Sequence, residues 1–263
     1  MSLPTRTCLS DKLRSLAAKK GIEPVSALTA YDYAVARILD EAGIDIILVG
    51  DSLGMMVFGH QDTTQVTVDM MVHHVKACRD ATKRSLLVAD LPYQSYQDDK
   101  QSLETARELV KAGAEAVKLE GGKAVTPQIK TILSAKIPVF GHIGMLPQQV
   151  KQEGGYKKKG KTDIEAAALI EDARQLDKAG VSAIILENIV SPLAKQITRI
   201  TNVPTIGIGS GKDCDGQILV INDLLGSYPW FCPPFAKPKA DFASETTQAV
   251  KQFVAELANP SRS

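Results

Sequence analysis

What this 263-residue chain lacks narrows its function before any motif is read. Its four cysteines, Cys8, Cys78, Cys214 and Cys232, are scattered, with no CxxC pair and no histidine at ligand spacing. A disulfide framework and a zinc or iron–sulfur centre are therefore not expected, and the thiols read as reduced groups of a cytoplasmic protein. Charge of one sign is missing too: 31 Lys and Arg against 30 Asp and Glu leave a net +1, which provides no electrostatic case for nucleic acid or an anionic membrane. No apolar run approaches the ~20 residues that span a bilayer, and no secretory apolar core is present. A phosphate loop is absent as well. The stretch Gly207–Lys212 would need glycine where Ile206 stands and Ser or Thr where Asp213 stands, so it reads as a tight turn after a strand. With 44% apolar and 23% charged residues, the composition is that of a globular domain rather than a disordered or fibrous chain.

What is present begins with a basic N-terminus. Arg6, Lys12, Arg14, Lys19 and Lys20 stand with one acid, Asp11, a balance that also suits an organelle transit peptide. Helix signals favour another reading. Ser10 as N-cap, an apolar stripe of Leu13, Leu16 and Ala17, and a stop at Gly21 predict a short helix closing the bottom of the domain.

One phrase then recurs. Glu41–Asp51, Lys111–Gly121 and Lys178–Asn188 each end a charged helical run at Ala-Gly, continue as an apolar β-prone run, and finish on a carboxylate: Asp51, Glu120 and Glu187. Glycine supplies the left-handed residue that stops a helix, and a run rich in Val, Ile and Leu suits a strand buried on both faces. Looser copies at Val25–Ala30, Ser85–Ala89, Ile137–Phe140, Val203–Ile208 and Gln217–Ile221 bring the strands to eight. Helices are expected at Tyr33–Ala42, Val68–Ala81, Ser102–Ala112, Thr126–Ala135, Ile164–Ala179 and Pro192–Thr201; the link between strands seven and eight is too short for one. This alternation predicts an α/β fold, a single (β/α)8 TIM barrel over residues 1–263 with residues 1–21 as an N-terminal helical extension. An open doubly wound sheet is the competitor, and it would want fewer strands and a glycine-rich first turn.

Barrel active sites lie at the C-terminal ends of the strands. There the chain places Asp51, Asp90, Glu120, His142 and Glu187 after strands two to six. A strand interior houses a carboxylate only at high cost, so these groups should share one mouth. Lys118, two residues before Glu120 on the same strand face, offsets one charge. The rest call for a divalent cation, and oxygen ligands favour Mg2+ or Mn2+ over Zn2+. Glu187 is then available as a base. A metal-polarised carbonyl acidifies the neighbouring C–H, so the spacing points to enolisation or aldol-type chemistry on an oxo acid; glycoside hydrolysis also uses paired acids and stays open. His142 is read either as a hydrogen-bond donor to substrate or carboxylate, or as packing. His73 and His74 are read as solvated or packed. The Lys157–Lys161 run is read as a solvated loop, or as an attractor for an anionic substrate tail.

Seven stretches resemble one family. LTAYDY (Leu28–Tyr33), VGDSLGM (Val49–Met55), LLVADLPY (Leu86–Tyr93), AVKLEGG (Ala116–Gly122), VFGHIGMLPQ (Val139–Gln148), GGYKKKGK (Gly154–Lys161) and GIGSGKDCDGQILV (Gly207–Val220) stand in the order found in ketopantoate hydroxymethyltransferases. The resemblance implies hydroxymethyl transfer from 5,10-methylenetetrahydrofolate to 3-methyl-2-oxobutanoate in pantothenate synthesis, with Mg2+ required and Mn2+ or Co2+ as substitutes. By motif position, Asp51 and Asp90 would ligate the metal, with Glu120 completing or water-bridging its shell. Asp51, Ser52, Asp90, Lys118 and His142 would face the substrate, and Glu187 would take its C3 proton. A ring-like homodecamer is also implied. The chain departs from the family pattern at Ser210, where alanine is common, in its more basic Lys157–Lys161 loop, and at Trp230–Phe235. The alternative is another Mg-dependent oxo-acid carbon–carbon lyase of the phosphoenolpyruvate mutase and isocitrate lyase type, although the KKCGH-type loop of isocitrate lyases is absent. More distant still is a non-catalytic oxo-acid sensor, against which the intact acids argue.

Overall fold

A computed structural model describes residues 6–258, so residues 1–5 of the expected N-terminal extension lie outside the described part. The chain forms two compact units, residues 1–218 and 219–263. The first carries a closed parallel barrel in the order β1 to β8. Its strands are β1 (Val25–Thr29), β2 (Ile46–Val49), β3 (Leu86–Asp90), β4 (Ala116–Glu120), β5 (Val139–Gly144), β6 (Ala183–Glu187), β7 (Thr205–Ile208) and β8 (Gly216–Leu219). The helices are α1 (Leu9–Ala18), α2 (Tyr33–Glu41), α3 (Leu53–Met56), α4 (Val68–Arg79), α5 (Asp99–Ala112), α6 (Thr126–Ser134), α7 (Val150–Glu153), α8 (Asp163–Ala179), α9 (Ser191–Ile200), α10 (Ile221–Leu225) and α11 (Phe242–Ala258). The expected (β/α)8 architecture is present, and β7 runs to β8 without a helix.

Side-chain alternation along a strand explains how one barrel serves both packing and chemistry. The inward parity begins apolar: Ile46 and Leu48 on β2, Leu86 and Val88 on β3, Ala116 on β4, Phe140 on β5, Ala183 and Ile185 on β6, Ile206 on β7. The same parity, followed one or two steps further, reaches Asp90, Lys118 and Glu120, His142 and Glu187. The lower layers are thus a dry core, and the top layer of the same ladder is ionisable.

α1 closes the bottom, with two corrections. Cys8, not Ser10, is the N-cap residue, and no side-chain cap bond forms there. Leu16 joins the barrel core and Leu9 and Leu13 pack against it, but Ala17 is exposed. Lys12 takes the inward place instead. Its ammonium donates to both Glu115 carboxylate oxygens at 2.8 Å and to the Ser85 carbonyl at 2.7 Å, so the buried charge is fully partnered.

Element ends differ from expectation where side chains decide them. α5 starts at Asp99 rather than Ser102 because Asp98 caps it, accepting from Gln101 N at 2.8 Å. β5 runs through Gly141 and His142, which were expected to lie beyond its end. Gly141 permits this continuation: a Cβ there would meet Leu176 of α8 at 2.6 Å. β8 ends at Leu219, and Ile221 opens α10.

In the second unit, α11 has no buried residue and exposes Val250, Phe253, Val254 and Leu257 along one helical stripe. Trp230, Phe231 and Phe235 are exposed as well, with Tyr228 and Trp230 packed edge to face at 5.1 Å.

If α1 seals the barrel, Leu16→Ala should cost about 2–5 kcal/mol in denaturant unfolding, whereas Ala17→Ser should stay within about 0.5 kcal/mol, the range of ordinary surface changes.

Candidate active site

Three acids and a lysine come together where β2, β3 and β4 end. Lys118 Nζ donates to Asp90 Oδ2 at 2.9 Å and stands 3.9 Å from Glu120 Oε1; Lys118, Asp90 and Glu120 are all buried. The strand register makes Asp90 and Lys118 direct neighbours, and likewise Glu120 and His142. Asp51 follows two residues after β2, and its backbone N–H donates to Asp90 Oδ2 at 3.1 Å. The expected shared mouth is therefore present, with His142 inside β5 rather than at its exit.

Glu187 ends β6, and His142 Nε2 lies 3.2 Å from its Oε2, too poorly aligned for a hydrogen bond. His142 Nδ1 lies 3.7 Å from Glu120 Oε1. Burial, and then the Lys118 charge, hold this imidazole well below its ordinary pKa, so it stands neutral between two acids. The backbone around Glu187 is firmly placed. Met145 N–H donates to the Glu187 carbonyl at 2.8 Å, and the Ser210 hydroxyl donates to Leu186 O at 2.7 Å while accepting from Ile189 N at 3.0 Å. Ser210 thus clasps both flanks of Glu187. Gly144 must remain glycine: its φ is +103°, and a Cβ would fall 2.2 Å from the Glu187 carbonyl.

Electrostatics set the protonation states. Burial and then Asp90 push Asp51 up to about 7. Burial raises Glu120 strongly, against the pull of Lys118. Glu187 rises to about 8, chiefly from burial, with Lys118 opposing and Asp90 adding. Burial would lower the Lys118 ammonium, but Asp90, Glu120 and Asp51 overcome it and raise it. One cation thus serves an excess of acids. Asp90 Oδ1 and Glu120 Oε1 are buried with no hydrogen-bond partner among the described residues. Within the same residues, no group of three His, Cys, Asp or Glu stands ready to enclose an ion by itself.

Three neighbours went unremarked in the sequence. The Ser52 hydroxyl lies 2.8 Å from the Tyr31 hydroxyl. Gln148 donates to Asp51 Oδ2 at 2.7 Å, and Tyr96 donates to the Gln148 amide oxygen at 2.6 Å. Tyr31 and Gln148 lie within the motifs noted above, but only the fold brings them to the acids. In the basic loop, Lys159 pairs with Glu153 at 2.6 Å and Lys157 donates to the Glu153 carbonyl, so two of its lysines turn back on their own segment. His74 is held by the Tyr31 carbonyl, and His73 is exposed.

The sequence profile of the family described as Ketopantoate hydroxymethyltransferase matches residues 11–261. The chain belongs to this family. Among its relatives, 3-methyl-2-oxobutanoate hydroxymethyltransferase of Ignicoccus hospitalis is 49% identical over 239 residues, 90% of each chain. The protein of that name from Acetivibrio thermocellus is 49% identical over 256 residues, covering 95% of this chain and 90% of its own. Solved structures share the fold at low identity. 2,3-Dimethylmalate lyase, a PEP mutase/isocitrate lyase superfamily member, superposes with a TM-score of 0.64 at 16% identity, over 98% of this chain and 90% of its own. Phosphonopyruvate hydrolase in complex with oxalate and Mg++ gives 0.63 at 12% identity, over 95% and 87%.

An acid raised by burial binds its proton in the folded state over a range where the unfolded chain has released it, so it lowers stability as pH climbs toward its folded pKa. For Glu187 that window runs from the ordinary carboxylate range up to about 8. Metal-free Glu187→Gln protein should therefore gain stability over the parent as pH rises from about 5.5 to 8, read as the difference between their denaturation midpoints; a constant difference would mean that Glu187 is not perturbed.

Proposed function

We propose that the chain catalyses hydroxymethyl transfer from 5,10-methylenetetrahydrofolate to 3-methyl-2-oxobutanoate, giving 2-dehydropantoate and tetrahydrofolate. The observation that carries this reading is the placement of Glu187. It is a largely buried carboxylate, its side chain 14% exposed, at a strand end, beside a neutral imidazole and within electrostatic reach of Asp90, and it belongs to a chain of this family. As its carboxylate, Glu187 takes the C3 proton of the oxo acid. The resulting enolate carbon forms a bond to the one-carbon unit, whose bond to folate nitrogen breaks, and one water supplies the hydroxyl oxygen in the net reaction. His142, neutral and 3.2 Å away, lies beside Glu187 without neutralising it by a full ion pair.

The donor set fits a hard divalent cation. Asp51 and Asp90 supply carboxylate oxygens, Asp90 Oδ1 and Glu120 Oε1 lack partners, and the acids outnumber the single Lys118. Too few side chains converge to enclose an ion alone. That suits Mg2+, which keeps waters and binds through one or two carboxylates plus substrate oxygens. Asp51 and Asp90 would hold it and Glu120 would reach it through water; when bound, it polarises the substrate carbonyl and stabilises the enolate. The solved phosphonopyruvate hydrolase carries Mg++ with oxalate, an oxo-acid-like dianion, on the same fold. Ser52 and Lys118 stand ready to contact the substrate carboxylate and keto oxygens. Mn2+ or Co2+ would substitute. The reading extends to self-association as a homodecamer, for which the exposed α11 stripe offers apolar surface and which sedimentation equilibrium checks.

Proton exchange tests the chemistry without folate. In D2O with Mg2+ and 3-methyl-2-oxobutanoate, NMR should show loss of the C3 proton, abolished by EDTA and slowed by about 10²–10⁴-fold in Glu187→Gln. Exchange that survives the substitution at the parent rate would remove Glu187 from the role of base. Exchange without transfer on adding methylenetetrahydrofolate would favour a lyase of the same fold.

A further inference from the structure

Gln148 sits in a 3-10 turn, Pro147–Gln149, between β5 and α7, and is only 3% exposed. A buried carboxamide must satisfy both its ends, and here each end meets a distinct partner. Nε2 donates to Asp51 Oδ2 at 2.7 Å and to the Leu91 carbonyl at 3.0 Å. Oε1 accepts from the Tyr96 hydroxyl at 2.6 Å. The orientation is fixed by this network: turned over, the amide would set its oxygen against a carboxylate and a carbonyl and its nitrogen against a hydroxyl donor. The same residue acts a second time through its backbone, since Gln148 N–H donates to Glu120 Oε2 at 3.1 Å. Tyr96 closes the circuit, its hydroxyl lying 3.4 Å from the Glu120 carbonyl.

One residue therefore engages one oxygen on each of two acids. On Glu120 the other oxygen, Oε1, is buried without a hydrogen-bond partner. A carboxylate with one oxygen tied and the other bare is limited in how it can rotate, and its remaining lone pairs are aimed. Gln148 thus links side chains from the exits of β2 and β4, and through the Leu91 carbonyl the exit of β3, to the turn after β5. These side-chain ties add to the backbone ladder that pairs Asp90 with Lys118 and Glu120 with His142.

We propose that Gln148, held in place by Tyr96, is a positioning residue that orients Asp51 and Glu120 toward a divalent cation. This rests on the reading of those acids as metal-facing, so its test measures binding of the ion itself. Free Mn2+ is followed by electron paramagnetic resonance during titration of the folded protein, with and without 3-methyl-2-oxobutanoate. The parent binds. Gln148→Met keeps the volume but removes all three side-chain bonds, and weakens Mn2+ by about 10–100-fold, the usual cost of removing a partner behind a metal ligand. Tyr96→Phe removes only the hydroxyl and costs less, about 3–10-fold. Because Tyr96 acts through Gln148, the double variant binds no more weakly than Gln148→Met alone. With saturating Mn2+, Gln148→Met recovers most of its proton-exchange rate, which a general loss of folding would not allow. Unchanged affinity in Gln148→Met at an unaltered melting temperature, or additive losses in the double variant, overturns the role of Gln148. Should Gln148→Met not fold, Tyr96→Phe decides by itself, and affinity within twofold of the parent overturns the proposal. Absence of Mn2+ binding in the parent overturns the metal reading and this inference with it.

Discussion

The mouth of this barrel depends on one buried ammonium. Lys118 stands in direct contact with Asp90 and near Glu120, and it is only 5% exposed. Removing either partner of such a pair leaves an uncompensated buried ion, which costs far more than the pair itself contributes. Lys118 still cannot settle the whole account. Asp51, Glu120 and Glu187 all sit above their ordinary pKa, each chiefly because burial disfavours the charged form. In the proposed reaction, a site with this imbalance would take a cation and an anionic oxo acid together, because each would lower the cost of the other's burial. Metal and substrate affinities should therefore be coupled in the same direction.

That imbalance is tolerated because the rest of the barrel is so conventional. Eight short strands place alternate residues inward, and the lower layers are filled by Ile, Leu, Val, Ala and a single Phe140. α1 seals the far end with Leu16 and the paired Lys12. Dry packing below supplies the stability that the charged layer above spends. The two requirements never compete for the same position, since they occupy successive steps of one side-chain ladder.

Much of this was legible from residue order because it is local. A glycine after a helix, an apolar run and a terminal carboxylate are all read within about ten residues, and they located β2, β4 and β6 with Asp51, Glu120 and Glu187. Asp90 and Lys118 followed from the same logic. Errors arose where a tertiary contact decided a local outcome. β5 outlasts its expected end because Leu176 needs the space above Gly141, and α5 starts early because Asp98 is free to cap it. Gln148 and Tyr96 escaped notice for a deeper reason. An amide and a phenol on separate loops have no spacing rule, and their meaning comes from lying 2.6 Å apart beside an acid 97 positions earlier in the chain.

Glu187, the base in the proposed reaction, is closely held. A proton abstracted from carbon moves only when donor and acceptor are already in contact, so tenths of an ångström in the base matter. Here the backbone on both sides is tied: Leu186 and Ile189 to the Ser210 hydroxyl, the Glu187 carbonyl to Met145. Asn188 adopts a left-handed φ of +49° between those ties, a conformation a non-glycine residue keeps only when its surroundings hold it. The Ser210 hydroxyl thus fixes the backbone on both sides of Glu187, while the carboxylate itself stays partly exposed.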